Sequence, residues 1–251
     1  MTTDRDEALD QIRANIEKTG WHIYLVSGGE SPRYAYTIGL SEIFGSELIL
    51  AGAAMIASRD VGKLVNSIAR ECRDNPDAGT GTITVQGIGK FQLHPTDASW
   101  RKNMIFGAFD FLDKEDVPAL QILPEEDLRT IDVPKMSEPW SPDANPVWRW
   151  LDGGWPYDGI AASTHVTTNL DAMKGFAVSE LMRWDAEEWE MYSGDHEDVP
   201  EDEVMKVPLA TLLAFDASLE PALTVPHGTG LFRDFDDDDH PKWEPINSAA
   251  S

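Results

Sequence analysis

The stretch "RYAYTIGL", residues 33–40, decides how the first part of the chain folds. Two tyrosines, Tyr34 and Tyr36, alternate with smaller or polar residues, which is the two-residue period of a β-strand. The same period places both tyrosines on one face of the predicted sheet and Thr37 on the other. Gly39 ends the strand, where the backbone approaches a neighbour or φ must be positive. The pattern leaves two interpretations open, because the tyrosines either pack in the core or line a ligand pocket.

The segments around this stretch predict further strands and two amphipathic helices. "WHIYLV" is apolar on both faces, which favours a central strand that pairs with residues 33–40 as a hairpin. Apolar residues at helical spacing predict the two helices. The predicted strands lie at residues 21–26, 33–40, 46–53, 82–95 (a hairpin) and 118–124, and the predicted helices lie at residues 3–19 and 58–73.

Residues 136–159 mark a change in composition, since they contain four tryptophans and four prolines. Prolines fix φ and remove backbone donors, so the segment is predicted to be an extended connector. The predicted organisation is an N-terminal domain over residues 1–135, the connector over 136–160, an acidic C-terminal domain over 161–245 and a tail over 246–251.

The C-terminal domain shows a second set of strand patterns and one short helix. Its predicted strands are "ASTHVTT" (162–168), "KGFAVSELMRW" (174–184) and "EEWEMYSGD" (187–195), followed by an acidic loop over residues 196–203 and a helix over 207–216. The predicted fold class is therefore α+β, with two domains that each pack a mostly antiparallel sheet against a few helices.

The net charge of −25 is unevenly distributed. Residues 1–140 carry 14 Lys/Arg against 22 Asp/Glu, and residues 141–251 carry 6 against 23, which gives −8 and −17. Binding to nucleic acid or to an anionic membrane requires basic surfaces, so neither partner is expected. A basic protein partner fits this charge, and simple solubility is the alternative explanation.

A single cysteine, Cys72, excludes an internal disulfide and favours a reducing cytosol, with its thiol packed and inert. The acidic N-terminal sequence has no apolar stretch, so no signal peptide is expected, and no segment has the length of a membrane helix. The predicted location is cytoplasmic.

No motif in the chain predicts catalysis or a cofactor. The histidines show no zinc-type spacing, and the run Asp236–Asp239 does not have the spacing of a calcium loop, so no metal is expected. No nucleophile elbow or phosphate loop is present. We therefore assign no catalytic residue. An enzyme or small-molecule binder remains the alternative function, with a pocket in the first domain formed by His22, Tyr24, Tyr34, Tyr36, Thr37 and Gly39.

The first domain resembles the bacterial domain of unknown function 4262 family over roughly residues 8–140. The blocks that carry the resemblance are "GWHIYLV", "PRYAYTIGLSEIFGSELILAG" and "PALQILPEE". No settled activity comes with this family, so the resemblance implies no catalytic residue. The matching positions are Gly20, Trp21, Tyr36, Thr37, Gly39, Leu40, Glu47, Leu48 and Gln121.

The C-terminal part is similar, more weakly, to the immunity-protein-like domain of unknown function 2185 family. The segments concerned are "THVTT", "WEMYSGDHED", "VPLATLLAFDASLEPAL" and "GTGLFRD". The resemblance implies a protein that neutralises a toxin by binding it. The matching positions are Trp189, Ser193, Gly194, Asp195, Leu209, Asp216, Leu219, Gly228 and Arg233.

The charge asymmetry and this second resemblance predict a non-catalytic, immunity or anti-toxin-like binding protein. Its acidic surface would neutralise a basic protein partner, for which a toxin is one candidate, and a homodimer is compatible with the sequence. Aromatic anchors serve such a surface only where they are exposed. The candidate partner-binding residues are Trp184, Trp189, Tyr192, Asp195, Glu197, Asp198, Glu201, Asp202 and Glu203.

Overall fold

The structure is a computed structural model that describes residues 4–195, 199–235 and 241–246. The chain divides into two compact units. The first unit comprises residues 1–27, 33–129 and 133–144, and the second comprises residues 28–32, 130–132 and 145–251.

The first unit is built on a six-stranded sheet with helices between its strands. Its strands are β1 (His22–Val26), β2 (Tyr34–Ile38), β3 (Glu47–Ala51), β4 (Thr82–Val85), β5 (Gly89–Pro95) and β6 (Ala119–Pro124). Its helices are α1 (Asp4–Thr19), α2 (Ser41–Phe44), α3 (Ser58–Asp74), α4 (Ala98–Met104) and α5 (Phe106–Leu112), with 3₁₀ turns at Ala78–Thr80 and Glu126–Leu128. The strand order is β1-β2-β3-β6-β5-β4, and only β3 and β6 are parallel neighbours.

The second unit carries its own six-stranded sheet. Its strands are β7 (His165–Asn169), β8 (Glu180–Arg183), β9 (Glu188–Tyr192), β10 (Val204–Pro208), β11 (Thr229–Phe232) and β12 (Glu244–Pro245). Its helices are α6 (Leu170–Lys174) and α7 (Leu209–Phe215), with 3₁₀ segments at Pro146–Asp152, Glu201–Glu203 and Ala217–Thr224. The strand order is β10-β7-β9-β8-β11-β12, and only β7 and β9 are parallel neighbours.

The predicted fold class is confirmed, because helices accompany two mostly antiparallel sheets. The hairpin β1–β2, strand β3 and helices α1 and α3 lie where the sequence predicts them. Seven elements were not predicted, because each is short and its apolar pattern spans less than two helical turns or a few strand residues: α2, α4, α5, α6, β10, β11 and β12.

Two predicted strands need correction. β1 is an edge strand and not a central one, since its only neighbour is β2 and Leu25 is 58% exposed. Apolar residues on both faces do not distinguish a central strand from an edge strand with exposed apolar side chains. In the stretch 174–184 only Glu180–Arg183 is a strand, because Gly175 adopts a φ of 97° and ends α6 there.

Helix α3 packs its apolar stripe on one face of the first sheet. The stripe predicted from helical spacing is buried together with Ala35, Leu48 and Leu50 of the sheet. The stripe also contains Cys72, and burial raises the pKa of its thiol to about 12. The opposite face of the same sheet carries Tyr34 and Tyr36, since neighbouring strand residues point to opposite sides.

A buried carboxylate, that of Glu47, organises the turn after β2. Glu47 is 0% exposed, and its Oε1 accepts hydrogen bonds from the Gly39 N–H at 2.8 Å and from the Ser41 N–H and hydroxyl at 3.1 and 2.7 Å. Its Oε2 accepts from the Thr37 hydroxyl at 2.6 Å and from the Leu40 N–H at 3.2 Å. The carboxylate therefore satisfies the backbone donors at the start of α2, which a helix leaves without partners.

The local sequence allows this arrangement for two reasons. Gly39 has a φ of 98°, a conformation that side chains with a Cβ rarely adopt, and this turns the following N–H groups toward Glu47. Thr37 donates to Glu47 and in turn accepts a hydrogen bond from the Leu48 N–H at 2.9 Å. Both ends of the connection between β2 and β3 are thus tied to one side chain.

We expect Glu47→Gln to destabilise the first unit by about 3 kcal/mol, because an amide presents N–H donors to groups that are themselves donors. Chemical denaturation by urea measures this change. Glu17→Gln, which removes an exposed carboxylate from α1, is the matched control and should change stability by less than about 0.5 kcal/mol. Equal stabilities of the two variants would contradict this account of the turn.

Cys72 is expected to react at least about a hundredfold more slowly with iodoacetamide at pH 8 in the native protein than in urea, because only the thiolate attacks and burial disfavours it. Mass spectrometry of samples quenched over time measures the two rates. Equal rates would show that the thiol is accessible in the native state.

Candidate functional site

Three of the residues predicted to line a pocket in the first unit, all of them tyrosines, form an aromatic ladder. The Tyr24 and Tyr36 rings stack with centroids 5.4 Å apart, and the Tyr34 and Tyr36 centroids are 6.3 Å apart. Tyr24 is the direct cross-strand partner of Tyr36, which explains the contact. Tyr34 and Tyr36 are buried, whereas Tyr24 at the sheet edge is partly exposed.

The Tyr36 hydroxyl is held inside the fold. The backbone N–H of Gly107 in α5 donates to it, and burial, followed by the neighbouring Tyr34 and Tyr24, raises the pKa of Tyr36. Burial also raises the pKa of Tyr34. Both phenols therefore stay protonated at neutral pH and form part of the packing between β2 and α5.

The other predicted pocket residues have separate surroundings. Thr37 and Gly39 donate hydrogen bonds to the Glu47 carboxylate, which lies on the opposite side of the strand from the tyrosines. His22 is half-buried, its Nδ1 lies 2.8 Å from the Asn15 side-chain nitrogen, and burial lowers its pKa. The imidazole is thus neutral at pH 7, and it meets the Tyr24 ring edge-on at 6.3 Å.

The second sheet separates buried apolar side chains from half-exposed acidic ones. Along β9, Trp189 and Met191 are buried, while the alternate residues Glu188, Glu190 and Tyr192 are not. The cross-strand register extends this exposed side over four strands, because Tyr192 pairs with Glu180, Glu180 with Phe232 and Phe232 with Glu244. We call this side the acidic face and define it by Glu180, Glu188, Glu190, Tyr192, Phe232 and Glu244.

The partner-binding candidates from the sequence have different positions in the structure. Trp189 is 1% exposed and belongs to the core, where Arg183 lies over its ring at 4.6 Å. Trp184, at the turn after β8, is 49% exposed. Tyr192 lies on the acidic face, and burial and Glu190 raise its pKa. Asp195, Glu201 and Asp202 are exposed and Glu203 is half-buried, whereas Glu197 and Asp198 lie outside the described residues.

A cavity of about 430 Å³ in the second unit is lined by an ion pair, that of Arg233 and Asp216, which only the family resemblance singled out. Arg233 donates to Asp216 at 2.8 Å and to the Val178 carbonyl at 2.7 Å. Its guanidinium lies over the ring of Phe235 and over that of Trp243, at 4.9 and 4.3 Å from their centroids. These contacts compensate the charge within the fold and tie β11 to the segment Ala217–Thr224.

A smaller cavity of about 280 Å³ lies where β7 begins and β8 turns into β9. Thr164, His165, Asp185 and Glu188 are among the residues that line it. Sequence reasoning missed this site, because its residues come from separate segments and none belongs to a recognisable motif. In the sequence, its polar residues do not differ from those of any other strand or turn.

Two further properties concern the described residues alone. Within residues 4–195, 199–235 and 241–246, histidine, cysteine, aspartate and glutamate side chains do not assemble into any group of three that could hold a metal ion. In the same part of the chain, every helix is too short or too polar to span a bilayer. The run Asp236–Asp239 and the tail beyond residue 246 lie outside the described residues.

Two glycine-to-alanine changes in helices of the first unit should have opposite effects on stability. An alanine Cβ at Gly107 would lie 2.5 Å from the Tyr36 hydroxyl oxygen, so Gly107→Ala should destabilise by about 1–3 kcal/mol. A Cβ at Gly62 in α3 meets nothing within 4 Å, so Gly62→Ala should stabilise by about 0.5–1 kcal/mol. Urea denaturation measures both, and the same sign for both variants would contradict the packing of Tyr36 on α5.

The comparisons with known proteins concern mainly the first unit. Residues 15–128 match the family model described as a domain of unknown function, DUF4262. No curated protein and no solved structure matches the chain. The match lies inside the segment for which the sequence predicted this family, and the resemblance of the second unit to the domain of unknown function 2185 stays a prediction. Over residues 15–128 the chain thus matches the domain of unknown function 4262, as the sequence predicted.

Proposed function

We propose that the protein is a non-catalytic, immunity or anti-toxin-like binding protein of the cytoplasm, and that its second unit neutralises a basic protein partner. The observation that carries the proposal is the row Tyr192–Glu180–Phe232–Glu244, which alternates aromatic and acidic side chains across four neighbouring strands. Such a row offers carboxylates for pairing with cations and rings for apolar contact on one surface.

The positions of the three arginines in this unit support the proposal. Residues 141–251 contain 6 Lys/Arg, and three of them lie over aromatic rings: Arg149 over Trp150, Arg183 over Trp189 and Arg233 over Trp243. Arg183 also donates to the Val225 carbonyl, and Arg233 pairs with Asp216. Because these guanidinium groups are bound within the unit, they do not neutralise Glu188, Glu190 or Glu244.

The mechanism of binding follows from the charge and the shape of the acidic face. A net charge of −17 over residues 141–251 attracts a basic protein over long distances and raises its association rate. Once docked, exposed rings such as Phe232 supply apolar contact, and the surrounding glutamates fix the orientation of the partner. Trp184 and the acids Glu201 and Asp202 are exposed parts of the same unit and can extend this contact.

A pull-down from bacterial lysate, with the captured proteins identified by mass spectrometry, tests the proposal. The triple variant Glu180→Gln, Glu190→Gln and Glu244→Gln should lose the basic proteins that the wild type retains. For a captured partner, the association rate should fall by about tenfold or more between 20 and 300 mM salt, as electrostatic steering requires.

The matched control is the triple variant Glu17→Gln, Glu115→Gln and Glu126→Gln, which removes the same charge from exposed positions of the first unit. It should retain the captured proteins. Equal loss in both triple variants would mean that net charge and not the acidic face determines capture. Capture that is indifferent to salt, or that contains no basic protein, would overturn the proposal.

A further inference from the structure

The outer edge of β1 in the first sheet is open, because β2 is its one neighbouring strand among the described residues. An edge strand presents backbone N–H and C=O groups that only another extended strand pairs in a row. The side chains above and below this edge are open at the same point, since Tyr24 is 45% exposed and Leu25 is 58% exposed. A strand from outside the chain can therefore reach β1.

The edge strands β4, β10 and β12 carry features that oppose pairing. β10 has a lysine, Lys206, in its middle and ends at Pro208, and β12 is only two residues long and ends at Pro245. β4 has four residues and exposes Thr82 and Thr84 in place of apolar side chains. β1 contains neither proline nor Lys, Arg, Asp or Glu, so it is the least protected of these four edges.

The residue pattern of β1 matches a strand with neighbours on both sides. Apolar residues on both faces are typical of a central strand, which is what the sequence predicts for residues 21–26. Within one chain this prediction is wrong, but a further strand on the open edge makes β1 central. Because β1 itself carries no carboxylate, a cationic strand gains no ion pair within it, and a neutral apolar strand of similar length fits it best.

We propose that β1 pairs antiparallel with β1 of a second copy of this chain, so that the two first sheets form one sheet of twelve strands. A twofold axis at Tyr24 places this residue opposite its own counterpart and Leu25 opposite the counterpart of Ile23, so apolar side chains meet on both faces and no like charges face each other. The rings of Tyr36 and Tyr24 stack at 5.4 Å, and this pairing continues their row across the edge. The inference is separate from the proposed function, which concerns the second unit.

Sedimentation equilibrium of the full-length chain up to a concentration of about 500 µM tests the proposal. Two paired five-residue strands form a contact at the small end of specific interfaces, so we expect a dimer with a Kd of about 1–100 µM. Each copy carries a net charge of −25, so salt should strengthen the dimer by screening the repulsion, by about threefold or more between about 50 and 300 mM. A chain that stays monomeric, or a dimer that weakens with salt, would overturn the proposal.

Leu25→Lys should raise the Kd of the dimer by about tenfold or more, because it places a lysine from each copy beside the paired strands. The Leu25 side chain is mostly exposed, so the melting temperature of the monomer should not change. Phe176→Lys is the matched control, since Phe176 is 62% exposed in the second unit and the change in charge is the same. This control should dimerise like the wild type. Equal Kd values for the two variants would contradict β1 as the contact.

Cysteine variants test the register of the two strands. In the proposed pairing the two copies of residue 24 face each other at about 5 Å, whereas the two copies of residue 25 lie about 8 Å apart, beyond the reach of a disulfide. Under mild oxidation Tyr24→Cys should therefore form a covalent dimer about tenfold faster than Leu25→Cys. Native Cys72 is buried and should not contribute. Non-reducing electrophoresis measures both rates, and equal rates or faster crosslinking of Leu25→Cys would exclude this pairing.

Discussion

The carboxylate of Glu47 is the constraint on which the first unit depends. It is fully buried, and it accepts hydrogen bonds from three backbone N–H groups and two hydroxyls that all come from the turn after β2 or from the end of that strand. No Lys or Arg of the described residues pairs with it. Burying an isolated carboxylate is unfavourable, so the turn must keep every one of these donors in place.

This constraint determines what the neighbouring residues can do. Because Thr37 points toward Glu47, strand alternation sends Tyr36 to the other side of the sheet, where α5 covers it. Five of the positions that carry the family resemblance take part in the hydrogen bonds around this carboxylate: Thr37, Gly39, Leu40, Glu47 and Leu48. The signature of the family in this chain is therefore explained by folding, and it requires no catalytic role for these residues.

In the second unit, strand alternation likewise separates the arginines from the glutamates. Its arginines stack on rings or pair inside the unit, while glutamates and two aromatic residues share the half-exposed side of the sheet. Some of the acidic residues that the composition shows thus lie together on one side of the second sheet. In the larger cavity of this unit, Arg233 and Asp216 compensate each other's charge.

The sequence by itself determined the fold class, the main strands and helices, the family match of residues 15–128 and the charge asymmetry, because these depend on local periodicity and on composition. It left open whether Tyr36 was core or pocket, and it could not separate buried Trp189 from exposed Trp184, because both lie in similar aromatic and acidic surroundings along the chain. Only the tertiary structure decided that β1 is an edge strand, that Glu47 receives its donors from a turn six to ten residues earlier, and that Thr164 and Asp185 line one cavity. The physical reason is that burial and hydrogen-bond partners depend on strand order and register, which bring together residues that no local pattern relates.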